Sequence, residues 1–199
     1  MTLNKNVFHT ILLFCTILLL YPGTVFSTVT KRMNLQALIN TSADIILGEI
    51  ISLKSYRSQN GRYIMTDVTV NVRQGLKGST ASRIIVTILG GTVDGITTSV
   101  VGSPRFCTAE TVILFLNKIT GWSPDKSIHY AVVGLSQGKY ELRDPRSDNE
   151  LFVSSATSAE LTLLPDKSGD VTPPGGEKGI TIQEILTTIS ASSKREEGK

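Results

Sequence analysis

The chain has 199 residues, with 20 lysines and arginines against 17 aspartates and glutamates, for a formal net charge of +3. That length suits one domain with a real core, or one domain plus a tail. Basic residues are scattered, with no run longer than Lys31-Arg32 or Lys194-Arg195, so the sequence lacks the concentrated positive stripe by which proteins neutralise nucleic-acid phosphates.

The first segment is the most directional. Lys5 precedes an apolar run from Val7 to Leu20, Tyr21-Pro22-Gly23 breaks it, and Val25-Phe26-Ser27 offers short residues where a signal peptidase reads. Residues 1–27 therefore read as a secretory signal peptide, too short in its apolar part for the ~20 residues of a membrane-spanning helix. Cleavage after Ser27 would make Thr28 the first residue and leave no transmembrane segment; retention as an amino-terminal anchor is the competing reading. Cys15 lies inside the apolar run rather than at a cleavage junction, which argues against lipid attachment there. The address implied is periplasmic or secreted. After cleavage only Cys107 remains, so no intramolecular disulfide forms. Cys107 reads as a small buried hydrophobe, with pairing to another chain as the alternative.

In chain order, residues 35–39 predict a short helix capped by Asn34, whose side chain accepts an orphan backbone N–H. Residues 45–53 are rich in β-branched side chains, with Gly48 placed for a bend or close backbone approach. Gln59-Asn60-Gly61 is a turn signal. Beyond it Ile64, Thr66, Val68, Val70 and Val72 alternate on one face of a half-buried strand. Further strands are predicted over residues 83–89, 112–116, 130–133 and 139–142, the last two joined as a hairpin around Gly134 to Gly138. Short edge strands follow near residues 151–153 and 161–164. Turn signals at these intervals predict an all-β domain over residues 28–164, a small antiparallel OB-like barrel with a short N-terminal helix. Residues 165–179, with Pro173-Pro174-Gly175-Gly176, read as a linker. Residues 180–199 hold a C-terminal helix and tail, opened by a capping box at Thr181 and Glu184.

Several segments together carry a resemblance: residues 43–50, Tyr63 to Gly78 ending in Gly75-Leu76-Lys77-Gly78, Gly90 to Phe106, residues 110–116 and Val133 to Tyr140. Over roughly residues 35–143 the chain resembles an uncharacterised family of exported bacterial proteins with an OB-like, netrin-module-like barrel. The opening strand and Lys-Gly turn also look similar to those of tissue inhibitors of metalloproteinases. In that family an amino-terminal cysteine chelates the target's zinc. Here the expected mature terminus is Thr28, so the resemblance implies a scaffold and not that inhibitory group.

No residue set has the pattern of a catalytic centre, and no cofactor or metal is implied. His129 is the one histidine beyond residue 27, and without a second His or a Cys-x-x-Cys pair it makes a poor nucleus for zinc; it reads as a surface or edge residue. Gly134-Leu-Ser-Gln-Gly138 has the spacing of a nucleophile elbow around Ser136, but the elbow needs a strand followed at once by a helix. Asp94 alone falls far short of the six to eight oxygens of a calcium site. The expected function is an exported protein-binding or envelope-associated module with no evident catalytic centre. Its partner would be another exported or envelope protein, met through a loop carrying Gly90, Gly91, Asp94, Gly102, Pro104, Arg105 and Phe106. Two alternatives stand beside it: a serine hydrolase using Ser136, His129 and an acid such as Asp144, and an exported protease inhibitor acting through loops.

Overall fold

A computed structural model of the chain describes residues 29–78, 81–120, 128–143, 151–154, 162–164 and 179–197. The signal-peptide segment, Asp144 and nearly all of the expected linker lie outside the described residues. The elements in order are β1 (Val29–Lys31), α1 (Leu35–Thr41), β2 (Asp44–Arg57), β3 (Ile64–Lys77), β4 (Arg83–Leu89), β5 (Gly91–Val93) and β6 (Ile96–Thr98). They continue with β7 (Thr111–Ile119), β8 (His129–Val132), a 3-10 turn (Leu135–Gly138), β9 (Lys139–Leu142), β10 (Phe152–Ser154), β11 (Thr162–Leu164) and α2 (Ile182–Glu197).

Seven strands hydrogen-bond in the order β10-β9-β7-β2-β3-β4-β8, and β8 also pairs with the second half of β7. The strand β4 meets β8 in parallel, β1 meets β11 in parallel in a separate two-stranded sheet, and β5 and β6 form a short antiparallel ribbon. Two helices complete the fold. The all-β, wholly antiparallel OB-like barrel expected from the sequence is therefore corrected to a mixed, branched sheet carrying helices. Strand propensity and turn signals locate strands, but nothing in them encodes whether two strands distant in sequence run parallel.

The hairpin expected around Gly134 to Gly138 is corrected as well. Both β8 and β9 run antiparallel to β7 along the same edge of it: Leu116 faces Val132, and Leu114 faces Lys139. The partner advances seven residues while β7 advances two, so the 3-10 turn is a loop bulging from one strand path. Gly134 at φ 67° and Leu135 at φ 61° start that bulge.

Two apolar clusters explain the chain's hydrophobic pattern. One gathers Ile46, Ile50, Val68, Val70, Leu114 and Tyr130 with their neighbours, where the sheet coils on itself. The other packs Ile45, Leu47, Ile113 and Phe115 against Leu38 and Ile39 of α1 and Ile185 of α2. Phe115 and Tyr140 meet there with ring centroids 5.7 Å apart. Thus β2 and β7 are buried on both faces, which is why they read as continuous apolar runs rather than alternating ones. In β3, by contrast, Ile64, Thr66, Val68 and Val70 are buried as the alternation predicts.

Local signals in the sequence act as their chemistry dictates. The Asn34 side chain accepts from the Ala37 N–H at 2.8 Å, and Thr181 Oγ1 accepts from the Glu184 N–H at 3.2 Å. Gly61 has φ 67° in the turn between β2 and β3. A side chain at Gly48 would meet Val70 Cγ1 at 2.7 Å and the Asn71 carbonyl at 2.8 Å, the close approach anticipated for that position.

Candidate functional site

One cleft of about 450 Å³ draws together residues far apart in the chain. That volume falls within the ~300–1,000 Å³ typical of ligand sites. Leu53 and Ser55 of β2 with Thr66 of β3 form one wall, residues 90–92 and 98–100 around the β5–β6 ribbon form the second, and residues 103–107 form the third.

The β2 wall depends on an irregularity. The β2–β3 register shifts between Ile50 and Ser52, so Ile51 is an extra residue in the ladder. Before it, Ile46 and Ile50 face the coiled-sheet cluster; after it, Leu53 opposite Val68 and Ser55 opposite Thr66 face the same way. A bulge reverses which residues point to a given face, and here it aims Leu53 and Ser55 at the cleft. Ser55 and Thr66 exchange a hydroxyl hydrogen bond at 2.8 Å, and Thr66 Oγ1 donates to the Gly90 carbonyl at 2.7 Å.

Close approach fixes the ribbon wall. Gly91, at φ 132°, lies so near the hairpin that a Cβ would come within 2.3 Å of Thr66 Oγ1 and 2.4 Å of Ser55 Oγ. Replacing Gly91 by alanine should therefore lower stability by about 1–3 kcal/mol through backbone strain and displace the ribbon. A urea-denaturation midpoint equal to that of the parent protein would refute this.

The third wall is tied down at several points. The Ser103 hydroxyl donates to the Leu89 carbonyl at 3.2 Å, and the Ser136 N–H donates to the Gly102 carbonyl at 2.9 Å. Beneath it Lys139 is 0 % exposed. Its ammonium donates to the Arg105 carbonyl, to Glu110 Oε2 at 3.0 Å and to Glu141 Oε1 at 2.7 Å, and it lies 4.7 Å from the centroid of the Phe106 ring. Three N–H donors thus meet three oxygen acceptors, which offsets the cost of removing the charge from water.

Of the sequence-derived loop residues, Gly90, Gly91, Pro104, Arg105 and Phe106 line this cleft; Asp94 and Gly102 do not. Asp94 sits in the turn of the ribbon, where Arg57 Nε lies 3.6 Å from its carboxylate. Gly102 is buried, and its carbonyl holds the 3-10 turn. Sequence reading missed Leu53, Ser55 and Thr66, because the bulge that aims the first two leaves no trace in residue type. It also misplaced Cys107, which is exposed and lines the cleft.

His129 is buried rather than at the surface, at 2 % exposure. Its Nδ1 lies 2.6 Å from Thr87 Oγ1, and the Thr87 hydroxyl donates to Asp67 Oδ1 at 2.7 Å. Since threonine has one hydroxyl proton, Nδ1 carries the hydrogen shared with Thr87. The Tyr56 hydroxyl donates to the same Asp67 oxygen at 3.2 Å, so the network ties β2, β3, β4 and β8 together. Burial, and then the Asp67 carboxylate, push the Tyr56 phenol up to about 12; burial also raises Tyr140. The neutral phenols are favoured in the folded state. Their contribution is complete below the ordinary phenol value of about 10 and is lost as pH rises through about 12. Urea midpoints should fall over that window, and less steeply in Tyr56→Phe; equal slopes would contradict the Tyr56 assignment.

The register does not bring Ser136 and His129 together. His129 pairs with Ile119, whereas the turn containing Ser136 joins β7 at Phe115 and Leu114. Four strand residues separate these attachment points, roughly 13 Å at the usual rise. Among the described residues no three His, Cys, Asp or Glu side chains gather as a metal site, and no helix is long and apolar enough to cross a membrane.

The chain matches no protein-family profile and no curated protein. The resemblance to exported bacterial OB-like proteins, netrin modules and tissue inhibitors of metalloproteinases therefore has no support in either comparison, and the mixed sheet departs from the barrel it implied.

Proposed function

We propose that this chain is an exported or envelope-associated protein-binding module that meets its partner at the cleft between β2, the β5–β6 ribbon and residues 103–107. The observation that carries the reading is a recognition wall held in one shape: Lys139 and Ser136 fasten residues 102–110 from behind, while Leu53, Val100 and Pro104 offer apolar surface in front. A fixed cleft loses little conformational entropy on binding, which favours affinity. An inhibitor acting through loops would use this same surface.

Cys107 supplies a test. With Cys15 replaced by serine, a photoreactive maleimide on Cys107 should cross-link a discrete partner in the exported fraction, and Leu53→Glu should abolish the adduct. Absence of any adduct, together with esterase activity lost in Ser136→Ala, would instead favour a hydrolase. Export rests on the apolar run from Val7 to Leu20 and the Pro22-Gly23 break. Amino-terminal sequencing of the exported product should begin at Thr28; a product retaining Met1 in the membrane fraction would overturn cleavage.

A further inference from the structure

The cleft lies in a fork of the backbone. Pairing between β2 and β7 ends at Glu49 and Thr111, and the last ties between the two chains are Ile50 N–H to the Glu110 carbonyl and Ala109 N–H to the Ile50 carbonyl. From there the chains part. On one side β2 continues to Arg57; on the other, residues 107 back to 103 run past the opening. Over residues 52–57 β2 pairs with β3 alone among the described residues, so its second edge has no neighbouring strand. That edge borders the cleft through Leu53 and Ser55. Leu53 is 37 % exposed, and Leu89 and Val100 nearby are partly exposed as well.

An unpaired strand edge displays backbone donors and acceptors at strand spacing, and the occupant that satisfies them is another extended chain. The ribbon on one side and residues 103–107 on the other leave room for a single segment rather than the edge of a second sheet. Arg105 is the one formally charged side chain in the lining among the described residues. A carboxylate on the incoming segment complements it, and apolar residues at alternate positions meet Leu53, Leu89 and Val100. Proline is excluded wherever its missing N–H would leave a β2 carbonyl unpaired.

We propose that the module binds by strand addition: an extended, proline-free segment of a partner protein, apolar at alternate residues and carrying an Asp or Glu, pairs with the open edge of β2 inside this fork. The proposal rests on the protein-binding reading above and specifies its mode.

The test uses a random dodecapeptide library displayed on phage, selected on the whole chain. Enriched peptides should carry apolar residues two apart with an acidic residue among them, and synthetic versions should slow amide hydrogen exchange within residues 52–57. Leu53→Glu should weaken them by about tenfold or more, as expected for an apolar anchor. Selection on Arg105→Glu, whose exposed side chain makes little demand on folding, should exchange the acidic residue for Lys or Arg. Peptides with apolar residues at helical spacing, or protection confined to other elements, would overturn strand addition while leaving a binding module. Enrichment of no peptide on the folded chain would overturn both.

Discussion

Replacing Leu114 by alanine is expected to destabilise the protein by about 2–5 kcal/mol, the range for large-to-small changes at buried leucines. Leu114 is 0 % exposed at the middle of β7, opposite Ile46 of β2 on one side and Lys139 of β9 on the other. Its side chain belongs to the cluster containing Ile46, Val70, Phe106 and Leu116. Strands enclose it on both sides, so the surroundings have little freedom to collapse into the space, and the upper half of the range applies. Against a total stability of about 5–15 kcal/mol this is a large fraction. Because Phe106 shares the cluster, the loss should also loosen the wall at residues 103–107. Equilibrium urea unfolding gives the free-energy change, and a loss below about 1 kcal/mol would show that the cluster is less tightly packed than described.

Replacing Lys139 by methionine should lower stability by about 1–3 kcal/mol, chiefly because the Arg105 carbonyl loses its donor in a dry position. The loss stays under the ~3–5 kcal/mol of a wholly buried broken pair, since Glu110 and Glu141 keep 22 % and 45 % side-chain exposure and water can take them back. Lysine to arginine should not restore the parent: the planar guanidinium is bulkier than an ammonium and suits a fork of acceptors rather than this enclosed point. The signature separating this residue from an ordinary core position is local. Amide exchange over residues 103–110 should accelerate more than global unfolding accounts for, and the peptides selected at the fork should bind more weakly. Uniform acceleration across the sheet would show that Lys139 contributes packing and not the fastening of this wall.

What was legible in the sequence was local. The cap at Asn34, the glycine turn at Gly61, the close approach at Gly48 and the alternating face of β3 each depend on a few neighbouring residues, and each stands in the structure as its chemistry requires. Five residues of the expected loop came together because glycines and a proline mark a chain that turns. The remainder depends on partners far along the chain. Parallel pairing of β4 with β8, the placing of β8 and β9 on one edge of β7, and burial of β7 on both faces are set by what packs where, and residue type does not carry that information. His129 is buried because Thr87 and Asp67 receive it, and Lys139 because three oxygens and an aromatic ring do. The cleft owes its form to one extra residue at Ile51, which turns Leu53 and Ser55 inward, and to the parting of β2 from the chain before β7. Local sequence sets which segments turn and which extend; only the tertiary structure decides which faces and edges are left open, because that depends on which distant segments come to lie beside them.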